Sequence, residues 1–362
     1  MPTTNIPQLL NSMCEEVSFP RSEHKTLLLD YTKGLAISHF KSLSSIGRKT
    51  GHSQSSLSRM LSNTRVTTEK LTSSRLNFIQ NFLSNNGLEP KYIILDETVI
   101  ERYGSKIENL GKYYSSTAEK VINSISLISS VLYVKNGLFF PLITKERTKG
   151  DFTGQLISIL ECLKLKNNII LVDGAIMCSR IFAKVVNSAS TIIGRLRTNL
   201  KVVIDGKGFL LSKLKRKTKG VTSFIAKVPS YQAKVKIVID NNSQETRIIL
   251  CSDTNMTEYE ILDHYSKRET VEEYFKQTKG LLGLKTQVYS QRSTEKYSEL
   301  VALYFTAMMI ARYYLNVKDQ VGFREFVEQQ VELHYLDKAL FAVFSLFVHN
   351  PKAFFSFLSG FI

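Results

Sequence analysis

The pattern of apolar and polar positions divides the chain into a helical first part and a mixed α/β second part. From about Arg21 to Asn86 there are few β-branched runs, and this stretch is predicted to be helical. From Lys91 onwards, short continuous apolar runs alternate with amphipathic stretches, which is typical of buried strands and the helices that cover them. Residues 1–18 are expected to form a loose leader.

The α/β part is predicted to contain three strands followed by helix, strand, helix and strand. The first strand ends at Asp96, and the next two form a hairpin around Asn136-Gly137, a strong signal for a tight turn. The predicted elements after the first strand are strands 121–134 and 137–143, helix 152–163, strand 168–172, helix 179–187 and strand 190–195.

Two further regions complete the pattern. Between residues 195 and 254 five short β-like runs predict a small β insertion: 201–204, 208–211, 222–226, 233–239 and 246–250. Residues 294–358 are rich in Phe, Leu and Tyr and predict helices that either cover the core or form a dimer contact. The residues that suggest this are Leu303, Phe305, Leu340, Phe341, Phe344 and Phe347.

Two acids each follow a continuous apolar run. Tyr92-Ile93-Ile94-Leu95 leads into Asp96, and Asn168-Ile169-Ile170-Leu171-Val172 leads into Asp173. Such runs are typical of buried strands, and an acid at the exit points beyond the sheet, where α/β proteins usually bind ligands. With Glu272 on a later helix they provide three carboxylate ligands, which suit Mg²⁺. A pair of such ions can stabilise the attacking and leaving oxygens of a phosphoryl displacement.

A line of polar side chains marks the predicted helix over residues 264–279. At about 100° per residue, four side chains fall within a stripe about 60° wide and a fifth lies beside it. They are Tyr265, Arg268, Glu272 and Lys279, with Lys276 beside them. One acid among several cations suits a phosphate chain and leaves the acid free for a metal; the alternative is a ladder of ion pairs within the helix.

Neighbouring acids fit the stripe less well. Glu273 lies away from it, and Glu97 would point to the opposite face of a strand continuing past Asp96, whereas Glu269 is less easily dismissed. His264 is expected to be incidental, since none of the six histidines is paired at metal-ligand spacing.

Composition narrows the class of partner. The net charge of +16 and the pI near 9.5 indicate that the protein binds a polyanion, with DNA or RNA favoured over a membrane surface. The alternative is a protein that is merely basic. A chain of 362 residues predicts two or three domains. Four scattered cysteines indicate a reducing compartment without a zinc site or disulfide framework. No signal peptide, P-loop or GxGxxG occurs, and residues 300–315 predict a buried core helix.

The first part of the predicted insertion is strongly cationic. Twelve cations face the single acid Asp205 over residues 195–236, which predicts contact with phosphates, although the run 213–219 alone has the composition of a solvated loop. The cations are Arg195, Arg197, Lys201, Lys207, Lys213, Lys215, Arg216, Lys217, Lys219, Lys227, Lys234 and Lys236.

Residues 43–61 resemble a helix-turn-helix. One helix is predicted to end at Gly51, and Ser53 is predicted to cap the next. The second helix would bury Leu57, Met60 and Leu61 and present Gln54, Ser55, Ser58 and Arg59 to a DNA groove. The alternative is an ordinary helical hairpin.

Asp96, Asp173 and Glu272, with the spacing Tyr265-x2-Arg268-x3-Glu272-x6-Lys279, resemble the DDE transposases of bacterial and archaeal insertion sequences, and in particular the insertion sequence four family. The resemblance covers roughly residues 90–315. It implies a ribonuclease-H-like α/β catalytic core over 89–196 and 252–292, interrupted by a β-rich insertion at 197–251. An all-α DNA-binding domain over 1–88 would precede the core, and a helical region over 293–362 would follow it.

The resemblance also implies a function: cleavage at the ends of an insertion sequence and strand transfer into target DNA. The three acids would be catalytic and would hold Mg²⁺, as two ions for which Mn²⁺ can substitute. The expected partners are transposon ends, target DNA and a second copy of the chain in a synaptic complex, with no membrane and no nucleotide cofactor. The expected location is the nucleoid in the cytoplasm of a bacterium or archaeon.

The side chains expected to bind DNA come from the helical stripe, the insertion and the helix-turn-helix. They are Tyr265, Arg268, Lys276, Lys279, Arg195, Arg197, Lys213, Lys215, Arg216, Lys217, Gln54 and Arg59.

One feature departs from this family. In relatives a tryptophan of the insertion stacks on a flipped base, but this chain has no Trp, and Phe209, Phe224 and Tyr231 are the aromatic alternatives. A hairpin intermediate is therefore left open. Two other functions are also left open: a nuclease of the same fold that cuts without joining, and an inactive or domesticated transposase that only binds DNA.

Overall fold

The structure of the chain is a computed structural model that describes residues 5–115, 118–217, 220–242, 246–317, 322–330 and 332, with the backbone alone for Arg216 and Lys217. Its described part is mixed α/β, with helices before, against and after a mixed sheet. Among these residues no helix combines the length and the apolar character that a bilayer crossing needs.

Helices form the first part of the chain, as predicted for residues 21–86. They are α1 (Ile6–Ser12), α2 (Ser22–Ile37), α3 (Leu43–Thr50), α4 (Gln54–Ser62) and α5 (Thr68–Asn85).

The prediction of a loose leader over residues 1–18 is wrong for the residues described. Helix α1 is amphipathic, and its apolar positions recur at the spacing of one helical face. The buried side chains of this segment are Ile6, Leu9, Leu10, Met13, Cys14 and Val17. The carbonyl of Met13 also accepts a hydrogen bond of 2.7 Å from the hydroxyl of Ser74 on α5, so the segment is part of the core.

Helices α3 and α4 have the termini that the sequence predicts. Gly51 has a φ of +76°, a conformation that favours glycine, and it ends α3. The hydroxyl of Ser53 accepts a hydrogen bond of 3.1 Å from the backbone N–H of Ser56 and caps α4. The predicted inward residues Leu57, Met60 and Leu61 are buried.

Eleven strands of the described residues form the sheet. They are β1 (Tyr92–Glu101), β2 (Gly111–Ser115), β3 (Lys120–Lys135), β4 (Leu138–Glu146), β5 (Ile169–Val172), β6 (Thr191–Arg195), β7 (Lys201–Ile204), β8 (Lys207–Leu210), β9 (Val221–Val228), β10 (Ala233–Asp240) and β11 (Arg247–Cys251). The later helices are α6 (Phe152–Cys162), α7 (Ser179–Asn187), α8 (Leu211–Lys217), α9 (Glu258–Ser266), α10 (Glu269–Gly280) and α11 (Gln291–Tyr314).

The strands lie in the order β2-β3-β1-β5-β6-β11-β10-β9-β7-β8, with β4 also paired to β3. The β1–β5 and β5–β6 pairs are parallel and the other pairs are antiparallel. Because β11 pairs with both β6 and β10, the strands predicted as an insertion extend the sheet that contains β1.

Most predicted elements of the α/β part are confirmed. The hairpin turn between β3 and β4 has positive φ at Asn136 (46°) and Gly137 (72°), as a type I′ turn requires. Two elements were not predicted. Strand β2 pairs with the first residues of β3, and residues 211–217 form α8 where a strand end and a cationic loop were expected.

Helix α11 is the central helix of the described chain, and the predicted core helix over residues 300–315 lies within it. It contacts α1, α2, α4, α5 and β4, and Leu303 and Phe305 are buried in these contacts. These two residues therefore cover the core. Residues 323–330 are also helical, whereas Leu340, Phe341, Phe344 and Phe347 lie outside the described residues.

A buried ion pair joins the first helices, the sheet and α11. The Arg75 guanidinium on α5 donates to both carboxylate oxygens of Glu299 on α11, at 2.6 and 2.9 Å, and both side chains are almost fully buried. Arg75 also donates to the carbonyls of Pro141 and Leu142 on β4. Because every charged atom has a partner, the pair fixes the relative positions of three elements.

Glu299→Ala leaves the Arg75 guanidinium buried without its carboxylate. We expect the free energy of unfolding to fall by about 3–5 kcal/mol, measured by urea denaturation. Glu69→Ala is the control, because Glu69 is an exposed partner of Lys145; its loss should stay below about 1 kcal/mol. Equal small losses in the two variants would contradict this role of the ion pair.

Candidate active site

The register of two parallel strands brings Asp96 and Asp173 together. Leu95 on β1 lies opposite Val172 on β5, so each acid follows directly at the same level of the sheet. Neighbouring strands lie roughly 4.8 Å apart. The backbone therefore agrees with the expectation that the two acids converge, and it places them at the carboxyl end of β5.

Asp96 does not end its strand, which corrects one prediction. Strand β1 continues to Glu101, and β3 pairs with it along this whole length. The antiparallel ladder to β3 satisfies the backbone of β1 beyond the end of β5. Asp96 is therefore the first residue of β1 beyond its pairing with β5.

Arg268 connects Asp96 to Glu272. Its guanidinium donates to Asp96 Oδ2 at 3.3 Å and, through the other terminal nitrogen, to Glu272 Oε1. The Arg268 and Asp96 side chains are each 17% exposed, whereas that of Glu272 is 57% exposed. One cation thus holds carboxylates from β1 and α10.

The three acids lie close enough to influence one another electrostatically. Burial raises the pKa of Asp96 to about 6; Arg268 and the backbone N–H of Glu97 oppose this rise, and the charges of Asp173 and Glu272 add to it. The N–H of Glu97 donates to Asp96 Oδ1 at 2.8 Å. A largely buried carboxyl group with a raised pKa beside two further acids is typical of a functional site.

The helix over residues 264–279 is interrupted, which corrects the prediction of one continuous stripe. Helix α9 ends at Ser266 and α10 begins at Glu269. Between them, backbone N–H groups bond to carbonyls three residues back, as in Arg268 to Tyr265 at 3.0 Å. Such a turn has about three residues per revolution, and therefore keeps Tyr265 and Arg268 on the same side.

Tyr265 is buried next to this turn. Burial raises its pKa to about 12; Arg268 and Arg195 oppose the rise, while Asp173 and Asp96 add to it. The phenol therefore keeps its proton at neutral pH and can donate a hydrogen bond to an anion.

Lys279 reaches the strand that carries Asp96. Its ammonium donates to Thr98 Oγ1 at 2.5 Å and to the carbonyl of Val99 at 3.1 Å. Burial and, to a smaller extent, the charge of Lys285 lower its pKa to about 8, whereas the charge of Asp96 opposes this change. Thr98 was not predicted, although strand alternation places it on the same face as Asp96, two residues along.

The structure does not bring Lys276 to the acids. Its side chain is 81% exposed and lies 3.8 Å from Glu273, which also bonds to Gln277. The predicted exclusion of Glu273 therefore agrees with its contacts. Glu269 is exposed on the first turn of α10.

The neighbours Glu97 and His264 have other partners. Glu97 accepts a hydrogen bond of 2.7 Å from Arg147 and another from Ser126. His264 lies 2.8 Å from the hydroxyl of Tyr92. Both therefore have structural contacts away from the Arg268 bridge.

A cationic cleft of about 410 Å³ opens beside Asp173. Three of the predicted DNA-binding cations line it: Arg195 at the end of β6, Arg197, and Lys215 on α8. The pairing of β11 with β6 brings the insertion against this edge of the core. The structure thereby places part of the cationic region next to one of the three acids.

Among the described cations predicted to bind DNA in this region, Lys213 is not part of the cleft lining. Lys213 is exposed on α8. Lys219 and the side chains of Arg216 and Lys217 lie outside the described residues.

The three aromatic alternatives for base stacking differ in exposure. Tyr231 already stacks on Phe182, with ring centroids 5.1 Å apart and 12° between the planes. Phe224 is half-buried and packs against the core, whereas Phe209 on β8 is 37% exposed.

The outward face of α4 is exposed as predicted. Gln54, Ser55, Ser58 and Arg59 all point to solvent. This helix is therefore able to present them to a ligand.

The acids fit a divalent cation by chemistry more than by their present arrangement. Three carboxylates are hard oxygen donors of the kind that Mg²⁺ prefers. Within the part of the chain that the structure describes, however, no group of three His, Cys, Asp or Glu side chains is arranged to hold a metal ion. Arg268 occupies the space between Asp96 and Glu272, so a shared ion requires Glu272 to leave Arg268.

No protein-family model matches the chain, and no curated protein matches it either. Its function is therefore inferred from the residues of the site.

The pKa of Asp96 gives a pH-dependent prediction. Because folding raises this pKa from 3.8 to about 6, the stability that Asp96 contributes is full below pH 3.8 and is lost as pH rises to about 6. In buffer with EDTA, the Asp96→Asn variant should therefore have a higher melting temperature than the unmodified protein at pH 8. This difference in melting temperature should become smaller towards pH 4.

Asp263→Asn is the control of opposite sign. The hydrogen bond from Lys267 lowers the pKa of Asp263, so this variant should lose stability at pH 8 and regain it as pH falls below 4. If the difference in melting temperature between Asp96→Asn and the unmodified protein does not change with pH, the raised pKa of Asp96 is contradicted.

Proposed function

We propose that the chain is a DDE-type transposase, which cuts and joins DNA by metal-dependent phosphoryl transfer on a ribonuclease-H-like core. The observation that carries the proposal is the arrangement of three acids around Arg268. Asp96 and Asp173 come from neighbouring parallel strands and Glu272 comes from a helix nearly 100 residues later, yet all three interact.

The order of the strands supports the fold that we propose. The antiparallel strands β1, β3 and β4 are followed by α6, β5, α7 and β6, with β5 and β6 parallel to β1. This is the succession of three strands, helix, strand, helix and strand that a ribonuclease-H-like core needs. It leaves the β7–β11 segment as the β-rich insertion between β6 and the helix of Glu272.

Asp96, Asp173 and Glu272 would hold Mg²⁺. When bound, the ion activates a water or a 3′-hydroxyl for attack and stabilises the oxygen that leaves. Glu272 is the most exposed of the bridged side chains and is on a helix end next to Arg268, so it can exchange its partner without disturbing the sheet.

Arg268, Tyr265 and Lys279 would position a DNA phosphate. The guanidinium of Arg268 presents a planar set of donors, and a phosphate oxygen can replace Glu272 on it. Tyr265 donates through its phenol, which stays protonated at neutral pH. Lys279, anchored on Thr98, supplies a positive charge along the same strand.

The surface beyond the acids suits a longer nucleic acid. Beside Asp173, the cleft is lined by the cations Arg195, Arg197 and Lys215. Elsewhere on the chain, α4 presents polar side chains to solvent. Phosphate contacts of this kind supply affinity, and groove contacts supply sequence preference.

Glu272→Gln tests the catalytic proposal. With Mg²⁺, the unmodified protein should nick DNA that contains the ends flanking its gene, and the variant should lose more than the roughly 10–100-fold typical of second-shell changes at metal sites. Glu273→Gln is the matched control on the next residue and should retain activity. Undiminished Glu272→Gln cleavage would rule out the proposed role.

Strand transfer separates a transposase from its alternatives. Pre-cleaved ends incubated with target plasmid should give joined products that depend on Glu272. Cutting without joining would instead favour a nuclease of the same fold. DNA binding without either reaction would favour an inactive, DNA-binding transposase.

Gln54→Ala combined with Arg59→Ala tests the DNA-binding role of α4. We expect the affinity for the preferred duplex to fall by about tenfold or more, because a good base contact contributes about 1–3 kcal/mol. Affinity is measured by fluorescence anisotropy at fixed salt. Arg21→Ala with Gln80→Ala is the control, since these are exposed residues of the same types outside α4; equal affinities for both double variants would contradict the role.

A further inference from the structure

The helix-turn-helix unit, residues 41–63, is hydrogen-bonded to the rest of the chain at both of its ends. At its start, the carbonyl of Lys41 accepts a hydrogen bond of 2.7 Å from Thr286 Oγ1. At its end, the ammonium of Lys296 donates to the carbonyl of Met60 at 3.3 Å and to that of Asn63. Thr286 follows α10, the helix that carries Glu272, and Lys296 lies on α11.

The first anchor combines the Thr286 hydrogen bond with close packing of Gly283 against the Lys41 side chain. Gly283, with a φ of +73°, lies so close to Lys41 that a Cβ at this glycine would overlap the Lys41 side chain. The buried Tyr297 donates from its hydroxyl to the carbonyl of Gly283 at 2.9 Å, and its ring packs against Tyr31 of α2. The loop after α10 is therefore held between the start of the unit and α11.

The second anchor is a buried charge at a helix end. The last carbonyls of a helix lack partners within it and have partial negative charge. Lys296 is fully buried at the end of α4 and donates to the carbonyl of Met60 in its last turn and to that of Asn63, the residue that follows the helix. Burial and, to a smaller extent, the charge of Arg292 lower its pKa to about 8. The ammonium therefore remains largely charged at neutral pH.

Two anchors prevent the unit from turning about either one. Helix α10, which carries Glu272, ends at Gly280, only three residues before Gly283. We infer that the helix-turn-helix unit and the Glu272 helix move as one rigid body, so that DNA read by α4 is cut at one fixed offset. The offset rests on the proposed function, whereas the rigidity does not. Gly283, Thr286 and Lys296 are then positioning residues that set where the cut falls.

A distance measurement tests the rigidity without any activity. Spin labels at Ser44→Cys on α3 and Lys276→Cys on α10 use exposed positions, in a background with Cys162→Ser and Cys178→Ser. Electron double resonance should give one narrow distance that random-sequence duplex DNA does not shift. A broad or two-peaked distribution, or a shift on adding DNA, would overturn the inference.

The position of the cut tests the fixed offset. Duplexes bound by Glu272→Gln are selected from a random library, and nicks made by the unmodified protein in Mg²⁺ are then mapped on them. We expect one main position relative to the selected sequence. When five base pairs are inserted between the selected sequence and the nicked bond, the nick should keep its distance from the selected sequence. It should therefore fall on a different phosphodiester bond.

A loosened variant tests the positioning residues. Thr286→Val with Lys296→Met removes the hydrogen bonds that both anchors make to the unit, and it should spread the nicks over several positions while the selected DNA still binds. Thr306→Val is the control, since Thr306 is buried on α11 and its hydroxyl donates to the carbonyl of Ala302 in its own helix. A single unchanged position in the loosened variant, with a folded circular dichroism spectrum, would overturn the inference.

These outcomes separate the inference from the proposed function. If the unmodified protein makes no Glu272-dependent nick, the proposed function fails and the spin-label distance alone decides the rigidity. If it nicks at scattered positions, the function stands and the fixed offset is overturned.

Discussion

Leu95 of β1 lies opposite Val172 of β5, and this parallel register decides where the acids of the candidate site lie. Both strands are apolar on both faces up to that level, so the core holds them in place. A slip of one residue would turn Asp96 to the other face of the sheet. The position of Asp96 is thus set by the apolar side chains that precede it on β1 and those of β5.

The charge balance around Arg268 connects this sheet edge to the helices. Three acids within electrostatic reach repel one another, and a buried guanidinium among them offsets part of that repulsion. Such an arrangement is stable without a ligand but leaves Asp96 with a raised pKa. The site therefore keeps a carboxylate whose charge is unfavourable in the fold, which is a common relation between stability and function.

Much of the fold follows from local sequence signals. The apolar runs before Asp96 and Asp173, the Asn136-Gly137 turn, and the Gly51 and Ser53 helix ends could all be predicted, because each depends on residues a few positions apart. Four features depend on distant partners. Strand β1 continues because β3 pairs with it, β2 exists because β3 is long, α1 is ordered by the core, and the β7–β11 strands join the sheet through β6.

The candidate site was predicted in its membership more than in its geometry. The residue types and spacings identified Asp96, Asp173, Glu272, Tyr265 and Arg268, because their chemistry is visible in the sequence. The break at Lys267 and Arg268 was not visible, since consecutive residues there keep helical dihedral angles while their hydrogen bonds shorten to three-residue steps. Nor could spacing show that Arg268 bonds to Asp96, which depends on how α10 packs on the sheet.

The continuity of the sheet has a consequence for the order in which the molecule is assembled. Strand β11 can pair with β6 only after about fifty intervening residues have been made, and α10 follows β11 in the chain. Long-range pairings of this kind form slowly. A growing polypeptide on the ribosome would therefore contain both aspartates well before the glutamate, and the three acids of the candidate site come together only after strands β7–β11 have been made.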